Sequence, residues 1–200
     1  MSGPGVPGST GDPPRAVLGA RDRAEEIVSA DAVQFAIDQT AVRLTVALHD
    51  ANPMLLCVLH GGLNYTGELL KRLAFPLELS YVHVGRYGHA TSGQTLNWFA
   101  KPTIELAGRH VLLIDDIFDQ GKTLSALVDW ALAEGAARVT TTVLVDKLLD
   151  AGRDGAISVD YPALQCPDRY LFGCGMDFRG YWRNLPAIFA LPRDMEDQQD

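Results

Sequence analysis

No apolar run in this 200-residue chain approaches the eighteen or so residues that cross a bilayer, so no membrane partner is expected. Positive charge is scarce: 17 Lys and Arg stand against 25 Asp and Glu, a net charge of −8, and no basic cluster is longer than Lys71-Arg72. That balance argues against a nucleic-acid partner. Cysteine is also sparse. Cys57, Cys166 and Cys174 form no CxxC pair, which excludes a disulfide framework and suggests small core residues in a reducing cytoplasm. His49, His60, His83, His89 and His110 show neither HExxH nor zinc-finger spacing, so structural zinc is not expected. No internal repeat is present.

What the chain does have is an apolar content of 47%, enough to bury one full core. Residues 1–20 are dominated by Gly, Pro, Ser and other small side chains, with no run apolar enough for a signal peptide. They read as a disordered tail, residues 21–193 as one domain, and residues 194–200 as a frayed acidic end.

The most informative stretch is Val111 to Leu124, VLLIDDIFDQGKTL. Val111 to Ile114 is continuously apolar, as an interior strand of a parallel sheet must be when both faces are covered. Asp115 and Asp116 mark its carboxyl end. Leu124, Leu127, Val128, Ala131 and Leu132 then recur at helical spacing, and Gly135 stops the helix after Glu134. In open α/β sheets ligands collect beyond the strand ends, where a helix N-terminus offers N–H groups to an anion. Gly121-Lys122-Thr123 suggests a P-loop, but that loop needs glycine where this chain has Asp116. Asp119 could merely cap the helix. Two carboxylates directly ahead of it favour a different reading, in which acids hold ribose hydroxyls or magnesium while backbone amides and Thr123 hold a phosphate.

The remaining pattern alternates strands and helices. Glu25 to Val28 reads as a short strand, and Ser29 caps a helix with an inward stripe of Val33, Ile37, Ala41, Leu44 and Leu48. Met54 to Leu59 is a second buried strand, ending in His60-Gly61-Gly62, after which Tyr65 to Leu73 is helical. Leu77 to Val84 and Thr95 to Phe99 read as partner strands around a long polar loop, Arg86 to Gln94. Val139 to Val145 is a further strand, ending at Asp146-Lys147, and Tyr161 to Leu191 reads as a flap over the strand ends. The fold class is therefore α/β, with a parallel-rich central sheet flanked by helices.

The Val111–Leu124 segment resembles the 5-phosphoribosyl-1-pyrophosphate signature of type I phosphoribosyltransferases, in their hypoxanthine-guanine branch. A second segment, Asp168 to Leu191 (DRYLFGCGMDFRGYWRNLPAIFAL), resembles the base-binding flap of the same family. The likeness runs over roughly Glu25 to Leu191. It implies the family fold, with a small hood from the chain's two ends, and transfer of a phosphoribosyl group to hypoxanthine or guanine, the alternatives being a xanthine-preferring enzyme of the family or a catalytically inactive regulator that senses phosphoribosyl pyrophosphate. It also implies magnesium as cofactor, a 6-oxopurine and phosphoribosyl pyrophosphate as substrates, and a homodimer or homotetramer.

By the same resemblance, His60, Gly61 and Gly62 form the pyrophosphate loop, with a non-proline cis peptide expected at Leu59-His60. Asp115 and Asp116 hold the ribose or its metal, and Asp119, Gln120, Gly121, Lys122 and Thr123 form the phosphate turn. Arg183 meets the pyrophosphate. Lys147 donates to the purine 6-oxo group, which disfavours adenine because its 6-amino group is itself a donor. Tyr170 stacks on the base, Leu171 reads its edge through backbone groups, and Asp177 borders the base and binds magnesium. Asp119 is the implied general acid or base and Tyr87 a catalytic lid residue. Three positions depart from the pattern: His60 replaces a common lysine, Arg86 the serine before Tyr87, and Gln120 a threonine or serine.

Overall fold

The computed structural model describes residues 12–86, 96–149, 152–153 and 157–196. In chain order the elements are α1 (Arg15–Arg23), β1 (Glu25–Val28), α2 (Ala30–Leu48), β2 (Met54–Leu59), α3 (Gly62–Leu70), β3 (Glu78–Arg86) and β4 (Leu96–Ala100). There follow β5 (His110–Phe118), α4 (Lys122–Ala133), β6 (Arg138–Leu148), β7 (Tyr161–Pro167), β8 (Leu171–Phe172), β9 (Ile188–Ala190) and α5 (Arg193–Glu196).

Continuous apolar runs make interior strands, and the sheet bears this out. Its order is β4-β3-β2-β5-β6-β7, parallel throughout except for β4, which runs antiparallel to β3. Alternate residues of β2 and β5 enter opposite cores. Leu55, Leu112 and Ile114 pack beneath α2 and α3 with Ile37, Leu44, Tyr65 and Leu69. Met54, Leu56, Val111 and Leu113 pack on the other side against Leu124, Leu127 and Ala131 of α4. Each fully buried aliphatic side chain contributes about 1.5–3 kcal/mol, so these two layers dominate the stability. Ser29 caps α2 as expected, its Oγ accepting from the Ala32 N–H at 3.3 Å. All three cysteines are free and buried. No described helix is long and apolar enough to cross a membrane.

A second, antiparallel sheet of order β1-β9-β8 joins the two ends of the described chain. Its core gathers Val17 and Ala20 of α1 with Phe172, Phe178, Phe189 and Leu191. This corrects the tail drawn through residue 20. Composition alone suggested disorder, but α1 begins at Arg15 and places Val17 and Ala20, one helical turn apart, fully under the hood. The acidic end is likewise pinned as far as Glu196, by Arg23–Asp194 at 2.7 Å and Arg169–Glu196 at 2.9 Å.

Several element boundaries differ from the sequence reading: β3 runs on to Arg86, which was expected in the loop, β6 spans Arg138–Leu148, and three further differences touch the site. β5 runs on to Phe118, so Asp115 and Asp116 lie inside the strand, because the ladder to β6 continues as far as Phe118↔Asp146. α3 starts at Gly62, directly from the glycine turn, and ends at Leu70. Tyr161 to Pro167 is not flap but the edge strand β7, paired with β6, so the flap proper begins after it.

Candidate active site

β2 and β5 end side by side, and the turns leaving them line one cavity of about 320 Å³. Its wall includes His60, Gly61, Asp115, Asp116, Asp119, Gly121, Thr123 and Arg183. Gly121 takes φ 75° and caps α4, and no side chain caps that helix. The first turn of a twelve-residue helix thus points its N–H groups and positive dipole end toward the cavity, as an anion site requires. Gln120 and Lys122 are exposed and line neither this cavity nor the next; the structure separates them from the site residues expected beside them.

Asp116 is the electrostatic centre. It is buried, and that burial pushes its carboxyl above the usual carboxylate range. Hydrogen bonding with Asp115, the Ile117 N–H at 2.8 Å and the Arg183 guanidinium at 3.9 Å oppose the rise. Two glycines make this burial possible. A Cβ on Gly61 would fall 2.0 Å from Asp116 Oδ2, and one on Gly175 would fall 2.2 Å from the Gly61 carbonyl oxygen. Only bare backbone allows the β2 turn, Asp116 and the hood to meet in one seam. The Leu59-His60 peptide is cis, as expected. The His60 ring meets the His83 ring edge-on at 4.4 Å, and His83 in turn packs at 4.7 Å on Phe99.

A second cavity of about 190 Å³ adjoins the first and shares Asp116, Ile117 and Asp119 with it. Lys147, Arg169, Tyr170, Leu171, Met176 and Asp177 complete its wall. Lys147 sits between two carboxylates, 2.9 Å from Asp168 and 3.4 Å from Asp119. The longer contact is too poorly aligned for a hydrogen bond, so the buried Asp119 Oδ1 has no hydrogen-bond partner. Tyr170 is held by its hydroxyl, which donates to the Asp177 carbonyl at 3.1 Å, and by an edge contact with Phe178 at 5.9 Å. Burial raises its phenol pKa, so the ring stays neutral near pH 7. Arg183 pairs with Asp177 at 2.6 Å and donates to the Gly175 carbonyl at 2.6 Å.

The structure thus brings together all the expected site residues that it describes, apart from Gln120, Lys122 and Gly62, the last of which lies behind the turn, where a Cβ would fall 2.6 Å from the Ile114 carbonyl oxygen. Tyr87 lies outside the described residues. Sequence reasoning missed Asp168, Ile117, Arg169 and Met176 as wall or partner residues. All four lie inside the two recognised motifs and were within reach. Nothing in the sequence pattern signalled that Gly175 would seal Asp116.

A mostly parallel sheet with a carboxylate pair at a phosphate-sized turn and a lysine on the neighbouring strand β6, roofed by a small second sheet beside which a tyrosine enters an adjoining cavity, defines a phosphoribosyl-transfer protein. Residues 23–178 match the phosphoribosyl transferase domain. The hypoxanthine-guanine phosphoribosyltransferase of Streptococcus pneumoniae is 33% identical over 171 residues, 84% of this chain and 93% of that one. The bifunctional protein TilS/HprT of Listeria innocua is 36% identical over 82% of this chain, which spans about a quarter of that relative's length. A solved hypoxanthine-guanine-xanthine phosphoribosyltransferase superposes with a TM-score of 0.75 at 30% identity, covering 87% of this chain and 98% of that chain. The chain belongs to the type I phosphoribosyltransferase family, in its hypoxanthine-guanine branch.

Proposed function

We propose that the two adjoining cavities hold phosphoribosyl pyrophosphate and a 6-oxopurine, and that the chain joins them. The reaction is purine salvage: hypoxanthine or guanine receives the 5-phosphoribosyl group, giving IMP or GMP and pyrophosphate. The observation that carries the assignment is the shared wall of Asp116, Ile117 and Asp119, which brings a phosphate turn and a base pocket to one strand end.

Breaking the anomeric bond creates positive ribosyl character, so the protein's work is to position both substrates, exclude water and stabilise the departing anion. Gly121 and Thr123 grip the 5′-phosphate at the α4 N-terminus, and Asp115 and Asp116 orient the ribose hydroxyls. Tyr170 lies against the base, Leu171 reads its edge, and Lys147 donates to its 6-oxo group. Asp119 Oδ1, buried without a hydrogen-bond partner, is suited to exchange a proton with the imidazole portion of the purine. Arg183 reaches the pyrophosphate once it releases Asp177. Tyr87 is the proposed lid residue.

Magnesium suits these donors, which are hard carboxylate oxygens. Among the described residues no three His, Cys, Asp or Glu side chains form a ready-made metal cluster. That suits an ion held by one or two carboxylates and completed by substrate oxygens and water. The Asp115–Asp116 pair on one side, or Asp177 on the other, would hold such an ion, and bound there it would supply positive charge to the leaving pyrophosphate. The buried thiols support a reducing cytoplasm as its compartment. Exposed Phe35, Val42 and Val46 on α2 leave apolar surface for a homodimer or homotetramer.

The test is nucleotide formation from phosphoribosyl pyrophosphate and magnesium, with hypoxanthine, guanine, xanthine and adenine assayed separately. Turnover of hypoxanthine and guanine but not adenine is expected. Binding of phosphoribosyl pyrophosphate without turnover of any base would sink the enzyme reading. Xanthine is the second reading, supported by a Tritrichomonas foetus relative named for all three bases, 35% identical over 80% of this chain.

A further inference from the structure

Between β6 and β7 lies Arg153, whose local sequence, Ala-Gly-Arg-Asp-Gly, reads as an unremarkable polar connection. Its side chain is nevertheless mostly buried, 18% exposed, and its polar contacts with the described residues lie at the ends of β5 and β6. Nε donates to the Asp119 carbonyl at 2.5 Å. Nη2 donates to the Phe118 carbonyl at 2.7 Å and to the Lys147 carbonyl, and lies 3.0 Å from Asp146 Oδ1. The cation lies 4.3 Å from the centroid of the Phe118 ring.

The β5–β6 ladder ends at Phe118↔Asp146, so one residue farther on no strand pairing fixes Asp119 relative to Lys147. Their side chains form an ion pair at 3.4 Å, but it is not aligned as a hydrogen bond and leaves the spacing of the two backbones unfixed. Arg153 takes over where the ladder stops. We propose that Arg153 is a positioning residue that locks the Asp119 backbone to the Lys147 backbone. It thereby sets the distance between the group that handles the purine's proton and the group that reads its 6-oxo oxygen. This rests on the roles given above to Asp119 and Lys147.

The arrangement needs arginine in particular. Three carbonyls in different directions, a carboxylate and an aromatic face are met by one planar fork with five N–H donors. A lysine has the charge and three donors, but all on one nitrogen, so it cannot occupy both of the separate positions from which Nε bonds Asp119 and Nη2 bonds Lys147. A bond to either carbonyl alone would stabilise the loop without coupling the two strand ends.

The experiment compares Arg153→Lys and Arg153→Ala with the full-length wild-type chain, measuring kcat, the KM of each substrate and the hypoxanthine-to-adenine preference. A misplacement of the order of 1 Å between reacting groups lowers rate by about 100-fold, so kcat in both variants should fall by roughly 10- to 100-fold. The KM for phosphoribosyl pyrophosphate should stay within about threefold, because the phosphate turn keeps its own helix. The preference for hypoxanthine should narrow, and millimolar guanidinium should restore part of the Arg153→Ala turnover, a response that lost folding would not give. Wild-type kcat and preference in Arg153→Lys would overturn the proposal, as would a parallel loss of every parameter and of thermal stability without rescue. Asp119→Asn separates the two readings: intact turnover there removes the site assignment and this inference together, whereas lost turnover there with an unaffected Arg153→Lys removes this inference alone.

Discussion

The floor of the site and its roof are held in different ways. The floor, formed by the ends of β2, β5 and β6, grows from segments whose apolar residues are wholly buried in two cores, with Leu55, Leu112, Leu113 and Leu144 at 0% exposure. The roof, formed by β1, β8, β9 and the turn at 173–183, is stitched from distant parts of the chain. Arg23 reaches Asp194, the Trp182 indole N–H donates to the Val17 carbonyl at 2.9 Å, and Arg169 bridges Glu25 and Glu196. Several of these ion pairs involve exposed partners, which individually contribute little. The floor holds the two larger cores, while the roof rests on a smaller cluster of its own and on Ile188 and Ala190, which enter the floor's core.

The sharpest way to break that contrast is at the floor. Leu113→Ala should cost about 2–5 kcal/mol, since it empties a fully enclosed site between β5 and α4. Denaturant unfolding measures the loss, and activity per folded molecule should hardly change. A cost below about 1 kcal/mol would show that the floor is not the main source of stability.

The seam comes next. Gly175→Ala puts a Cβ into the Gly61 carbonyl at a φ of 108°, at a cost of about 1–3 kcal/mol. Its larger effect should be on turnover, about 100-fold, because the roof can no longer close on Asp116. Wild-type kinetics in this variant would mean that the contact between roof and floor is incidental.

Within the roof, Trp182→Phe removes the bond to Val17 and should cost about 0.5–1.5 kcal/mol. Limited proteolysis should cut the α1 side of the hood faster while the melting of the floor is almost unchanged. Equal loss in both would merge the two regions into one cooperative unit.

The smallest effect is the pH response of Glu68, at the outer edge of the floor. Hydrogen bonds from Lys71 and Arg72 hold its carboxyl below the usual range. A carboxylate lowered by folding contributes stability that is fully present above its unfolded pKa, about 4.3, and lost as pH falls through the folded value. The melting temperatures of wild type and Glu68→Gln should therefore differ near neutrality and converge in acid. A gap that persists at the acid end would assign the difference to packing.

The same contrast explains what could be read from the sequence. β2, β5, α4 and β6 were legible because a strand buried on both faces, or a helix with one inward stripe, writes its environment into consecutive residues. Asp115, Asp116 and Asp119 followed from the turn that comes after them. The helix at Arg15–Arg23 was not legible, because its burial depends on Phe172 and Phe189, more than 140 residues away. Arg153 and Gly175 escaped for the same reason: what they touch is set by tertiary contacts that no local period encodes.

Asp116, Ile117 and Asp119 wall both cavities, so on the proposed function the two ligands are partitioned by a few side chains rather than by a separate element. A single inhibitor with a purine at one end and a phosphate mimic at the other would then need its linker laid over the Asp119 carboxylate. A basic nitrogen in that linker would meet Asp119 Oδ1, a buried oxygen without a hydrogen-bond partner among the described residues.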